Sequence, residues 1–337
     1  MDKNKLKDFI KEQEFSGVVR IEEDGRVIFN EAYGYADRNN LIVNRTDTKF
    51  GIASGCKLFT AIAILQLVEK GALYLETYLD DCLDFSFPNF DSEIKVCHLL
   101  NHSSGIPDYF DEELMDDFSV LWESTPMYKI RNLEDFLPMF REGQMDFKPG
   151  ERFKYNNAGF IVLGLIVEAV SGMNFRDFVQ KNIFEACDMS NSGYYALDKS
   201  PGNTAYGYEK DESGEWKTNI YSIPVIGGSD GGAFTTTEDL AKLWKALLSY
   251  ELLSEELTVE MLKDQIQVED DCYYGLGIWL IKKDNKTIQY YICGEDPGVT
   301  MISSVFPEKN VTFSILANSE YGTWDISGKI EELMELK

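Results

Sequence analysis

The feature that most constrains this chain is where its turns fall. Runs rich in β-branched and aromatic residues lie near both ends of the 337-residue sequence, each pair split by a short polar turn. Residues 17–33, "GVVRIEEDGRVIFNEAY", are two such runs around Asp24-Gly25, a tight-turn dipeptide, and read as a hairpin. Later, "YGLGIWLIKKDNKTIQYYIC" turns near Asp284-Asn285, and "TMISSVFPEKNVTFSILAN" repeats the plan around 307–310. Hairpins join antiparallel strands, so both ends predict antiparallel pairing. Between them the signals are helical. "KLFTAIAILQLVEK" (57–70) stops at Gly71, a C-cap residue, and "AGFIVLGLIVEAVSG" is apolar nearly all round and therefore buried. "NLEDFLPMF", "NFRDFVQKNIFEAC" capped by Asn174, and the amphipathic "TTTEDLAKLWKALLS" (235–249) are further helices, as are the first fifteen residues and "TWDISGKIEELMELK". The expected fold is α+β: one antiparallel sheet built from both chain ends, flanked by helices, with an inserted and mostly helical region. The chain reads as a single module over 1–337, its α/β part at 1–80 and 191–337 and its helical insertion at about 81–190.

Charge removes several function classes. The chain carries 58 acidic against 32 basic residues, a formal charge of −26. Such a surface repels phosphate backbones and anionic membranes, which argues against nucleic-acid binding. No window approaches 18 uninterrupted apolar residues, so no membrane span is expected. Cys56, Cys82, Cys97, Cys187, Cys272 and Cys293 are scattered without a CxxC pair, and no apolar leader follows the charged start. Free thiols and a cytoplasmic location are expected, or an extracytoplasmic one if a leader was removed. The two histidines, His98 and His102, stand in "HLLNH" rather than HExxH, so neither a metal nor a cofactor is expected. His102 reads as a loop histidine bonded to backbone.

The chemistry begins at "GIASGCKLFT", where Ser54 precedes Lys57 by three residues. On a helix that begins near Ser54, Lys57 lies one turn further along the same face, within reach of the hydroxyl. A serine needs a base before it attacks, and a buried lysine can act as one. The plain alternative is a helix cap and a solvated lysine. Tyr155-Asn156-Asn157 then precedes the buried helix. A tyrosine beside a lysine can move protons, and an asparagine amide can orient both the lysine and a carbonyl. Read alone, "YNN" is a turn and a cap. Cys56, inside the Ser54–Lys57 spacing, reads as packing, as does Cys293.

Together these segments resemble the serine β-lactamase and penicillin-binding protein superfamily, in its class C β-lactamase, D-alanyl-D-alanine carboxypeptidase and esterase branch. "ASGCK" carries the S-x-x-K motif and "YNN" the Y-x-N motif. "LLNHSSGIPDY", "FKPGERFKYNNAGFIVLG" and "GGAFTTTEDLAK" match surrounding stretches, and the resemblance runs from about 15 to 320. It implies that Ser54 forms an acyl-enzyme, that Lys57 and Tyr155 share the proton transfers, and that Asn157 holds lysine and substrate. It implies also that the backbone N–H groups of Ser54 and Glu295, beside Gly294, receive the oxyanion. The implied partner is a small-molecule or short-peptide substrate; no oligomeric state is implied.

One motif departs. Where the family has K-T-G or H-x-G, this chain has "ICGEDPGV": Ile292 stands at the basic position, followed by Cys293, Gly294, Glu295 and Asp296. Ile292 cannot bind a substrate carboxylate, and the acids after it repel one. Lys154, Lys282 and Lys283 are candidates to replace the missing cation. Two readings follow. One is a serine hydrolase acting on an ester, amide, D-amino-acid peptide or β-lactam, with neutral esters or cationic amides favoured. The other is a catalytically weak binding protein with a degraded third motif.

Overall fold

The structure, a computed structural model, describes residues 1–115 and 117–337. Strands β1 (Gly17–Glu23) and β2 (Arg26–Tyr33) form the first hairpin. Asp24 and Gly25 between them both have positive φ, the conformation a tight two-residue hairpin turn requires. The remaining sheet strands are β3 (Ile266–Glu269), β4 (Cys272–Tyr274), β5 (Trp279–Lys283), β6 (Lys286–Asp296), β7 (Val299–Phe306) and β8 (Val311–Ala317). They make one antiparallel sheet in the order β2-β1-β8-β7-β6-β5-β4-β3. The expected joining of the two chain ends is the β1–β8 ladder, which runs from Gly17↔Ala317 to Glu23↔Val311.

Period-2 alternation sends the strand side chains into two cores. Val19 and Ile21 of β1 and Phe313 and Ile315 of β8 face helices α1 (Lys3–Glu12) and α5 (Thr323–Met334), which contribute Leu6, Ile10, Ile326 and Ile330. Val18 and Leu316 face the opposite way, toward a larger core built on α2 (Lys57–Glu69), α3 (Asn157–Ser171) and α4 (Thr237–Leu248). Every residue of α2 from Lys57 to Leu67 is buried. Each large apolar side chain buried this way stabilises the fold by about 1.5–3 kcal/mol. Lys57 is carried into the same environment, which obliges it to find polar partners.

Two expected helices take other forms. Leu133–Met139 is a 3₁₀ helix with Pro138 inside it. Proline supplies no N–H and its ring crowds the preceding turn, so an α-helical ladder cannot run through. The segment capped by Asn174 is one α turn, Phe175–Val179, followed by a π turn, Gln180–Phe184. The short strands β3 and β4, at the sheet edge, fall in an acidic stretch with little periodicity and carry no strand signal.

Candidate active site

Ser54 sits in a short 3₁₀ turn, Ala53–Cys56, that leads directly into α2. Ala53 before it has φ +44, a left-handed conformation that costs a residue with a Cβ and is found where surrounding structure imposes it. The imposition is visible. The Ile52 N–H donates to the Ala233 carbonyl at 2.9 Å, and the Gly232 N–H donates to the Ala53 carbonyl at 3.2 Å. The Gly-rich turn of residues 227–233 is thus stitched to the serine's flank.

The residues expected to act together do meet. Lys57 Nζ lies 2.9 Å from Ser54 Oγ, 2.7 Å from Asn157 Oδ1 and 2.7 Å from the Asp230 carbonyl oxygen. Its Nζ is also 4.8 Å from the centre of the Tyr155 ring. Tyr155 lines the same small pocket as Ser54 and Lys57, and burial, reinforced by the Glu112 charge, raises its phenol well above the ordinary range. Tyr155 therefore rests as a phenol. His102 behaves as a backbone-bonded loop histidine: its Nδ1 accepts the Asn156 N–H at 3.1 Å and its carbonyl accepts the Lys154 N–H at 2.9 Å. The clamp brackets Tyr155, whose ring packs 4.4 Å from the imidazole. Burial keeps that imidazole neutral.

Asn157 opens α3, and Asp108 fixes that opening. The Asp108 carboxylate accepts the N–H groups of Asn157 at 2.6 Å and Ala158 at 2.9 Å, as a carboxylate at a helix N-terminus does. Burial nonetheless pushes its carboxyl up to about 7. Tyr109 donates its hydroxyl to the Asp230 carboxylate, which ties the 108–109 loop to the 227–233 turn. The Glu112 carboxylate interacts with the Asn157 side chain. Nothing in the sequence singles out Asp230 or Glu112; the doublet Gly-Gly on either side of Ser229-Asp230 is the one signal that the backbone there makes a close approach.

Strand β6 supplies the facing wall. Its pairing with β5 stops at Tyr291, leaving 292–296 free on that side. Gly294 lies so close to the nucleophile segment that a Cβ there would stand 2.8 Å from both the Ser54 and Gly55 nitrogens. Ile292 is buried beside Ser54, Lys57 and Tyr155. Glu295 is at the rim, its carboxylate bonded to the Trp324 indole N–H of α5 and so drawn away from the serine. Cys293 lines the cleft, and burial pushes its thiol up to about 12, as it does for Cys56. Neither is a thiolate nucleophile. Among the described residues no Lys or Arg lines the cleft in its place, Lys283 included. Lys154 is held by Asp111 at 2.7 Å and Asp146 at 2.6 Å, and Lys282 by Asp264 at 2.6 Å.

Comparison with known proteins then decides the family. A model described as Beta-lactamase matches residues 3–333. The chain belongs to the beta-lactamase family. It is 29% identical over 327 residues to penicillin-binding protein 4* of Bacillus subtilis, a match over 92% of this chain and 69% of that protein. A solved penicillin-binding protein from Bacillus halodurans is 49% identical and superposes with TM-score 0.94, over 97% of this chain and 99% of the other. An octameric penicillin-binding protein homologue from Pyrococcus abyssi is 27% identical with TM-score 0.84, over 99% and 78%. A D-amino acid amidase from Ochrobactrum anthropi, 22% identical with TM-score 0.78 over 98% of this chain and 95% of that one, shares the fold. The S-x-x-K and Y-x-N patterns expected from the resemblance stand at Ser54–Lys57 and Tyr155–Asn157, and residues 292–296 carry no basic residue.

Proposed function

We propose that this beta-lactamase family member is a serine hydrolase that acylates Ser54 with an ester or amide and discharges the acyl group to water. The observation that carries the reading is the set of partners around Lys57. Two of them, Asn157 Oδ1 and the Asp230 carbonyl, can only accept hydrogen bonds, whereas the Ser54 hydroxyl can also donate. As a free amine, Lys57 donates its two N–H groups to the carbonyls and turns its lone pair to the Ser54 proton. Lys57 takes the proton of Ser54 as Oγ bonds to the carbonyl carbon, and Tyr155, a phenol beside Ser54, gives its proton to the leaving group as the bond from the carbonyl carbon to that group breaks. Water then attacks the acyl-enzyme and gives a proton to the Tyr155 phenolate, while Lys57 returns its proton to Oγ as the acyl–Oγ bond breaks. The backbone N–H groups of Ser54 and Glu295, brought together by Gly294, are the oxyanion donors in this reading.

Peptides with a terminal carboxylate and penicillins fit less well than neutral or cationic esters and amides, because Ile292 offers no charge to their carboxylate. Intact mass after incubation with a fluorophosphonate and, separately, a labelled penicillin tests the proposal on wild type and Ser54→Ala. A fluorophosphonate adduct lost in Ser54→Ala is expected, with little or no penicillin adduct. Folded wild type that takes neither label overturns it and leaves a binding protein with a preserved but idle site.

A further inference from the structure

The cleft above Ser54 encloses about 890 Å³. Its lining is one-sided in charge. Eight of its residues are Asp or Glu and, among the described residues, none is Lys, Arg or His. Lys57 lies beneath, with its nitrogen committed to partners inside the protein. Aromatic side chains share the wall: Phe110, Phe118, Trp279 and Trp324 all line the cleft. Carboxylates combined with aromatic faces are the chemistry that holds organic cations.

The position of Asp296 sharpens this. Alternation along β6 puts Ile292, Gly294 and Asp296 on one face and Cys293 and Glu295 on the other. The first face is the nucleophile's: Ile292 is in the α2 core and Gly294 abuts Ser54. Glu295 is satisfied by Trp324, and the Asp230 carboxylate by Tyr109. The Asp296 carboxylate accepts no hydrogen bond and forms no ion pair among the described residues; the charges of Asp230 and Glu112 oppose its ionisation, and the more distant Lys57 favours it. Burial and the Asp230 charge push its carboxyl up to about 7. Lys57 is bonded to Ser54, Asn157 and the Asp230 carbonyl instead, so this acid, held beside other acids two residues past the strand's contact with the serine, has no counter-charge in contact among the described residues.

We infer that the substrate supplies it: the cleft selects esters or amides that carry an organic cation, an ammonium or guanidinium, seated against Asp296 close to the scissile bond. This rests on the hydrolase reading for the ligand's chemistry but not for its charge. The preference is therefore tested without turnover. Binding of benzylammonium and of benzoate to the Ser54→Ala protein is measured by titration calorimetry at low ionic strength. Benzylammonium is expected to bind at least tenfold tighter, to weaken as salt is added, and to lose most of that advantage in Ser54→Ala/Asp296→Asn. Benzoate binding as tightly as benzylammonium, in the protein that keeps Asp296, overturns the inference whether or not the double variant folds. An advantage that survives Asp296→Asn in a folded protein overturns the assignment to Asp296. Fluorophosphonate labelling of wild type, run in parallel, reports on the hydrolase reading by itself.

Discussion

At the residue scale the site is a lysine with three oxygen partners beside a closely packed glycine, and the lysine and the glycine each make a prediction. Lys57→Ala is expected to slow fluorophosphonate acylation of Ser54 by about 10²–10⁴-fold, the usual worth of a positioned base, with labelling rates as the measurement. Gly294→Ala places a methyl 2.8 Å from two backbone nitrogens of the nucleophile turn and 2.4 Å from the Ile52 oxygen. It is expected to destabilise the protein by about 1–3 kcal/mol in a urea titration and to abolish labelling, since no side-chain rotation relieves a backbone contact. A Gly294→Ala protein as stable and as reactive as wild type would show that the strand stands further off. Ser54, Lys57, Tyr155 and Asn157 were legible because two short spacings carry them. Asp230 was not, because its meaning lies in a bond to Tyr109, 121 positions away, that no local pattern encodes. Glu295 and Asp296 were read together as acids that repel a substrate carboxylate; strand alternation and Trp324 take the Glu295 side chain away from the serine's face and leave Asp296 on it.

Among the elements, α3 matters most to the site, because its first residue is Asn157. Two side chains fix its start: Asn156 accepts the Gly159 N–H at 2.7 Å, and Asp108 accepts the N–H groups of Asn157 and Ala158. Asp108→Ala is expected to cost about 0.5–2 kcal/mol by thermal or urea denaturation. It is expected also to slow Ser54 labelling, because the Asn157 amide loses its fixed approach to Lys57. The buried helices and hairpins were readable from periodicity and turn residues. The 3₁₀ and π turns were not, since a capped apolar stretch specifies that a helix forms more firmly than which ladder it keeps. Pro138 is the residue that marks the first of them.

Across the whole molecule, acidity sets a pH dependence. Burial and the Asp230 charge hold the folded Asp296 carboxyl at about 7, above the ordinary aspartate value of about 4, so the folded protein holds more protons than the unfolded chain between those values. Its contribution to stability is therefore greatest in acid and falls as pH rises from about 4 to 7. Asp296→Asn is expected to raise stability at pH 8 by about 1–2 kcal/mol and to change it little near pH 4, read as denaturation midpoints at both pH values. A gain equal at both pH values would point to packing rather than charge. The antiparallel sheet was legible in outline because hairpin turns imply it; the closing of the chain ends was inferred from strand runs at both extremes. That closing has a consequence for synthesis. Gly17 pairs with Ala317, 300 positions later. At about 5–20 residues per second, β1 waits roughly 15–60 s for its partner to leave the ribosome. Throughout that interval the β1–β2 hairpin offers an open edge and uncovered Val19, Ile21 and Phe29, so the nascent chain is a natural client for a chaperone that shields strand edges until β8 arrives.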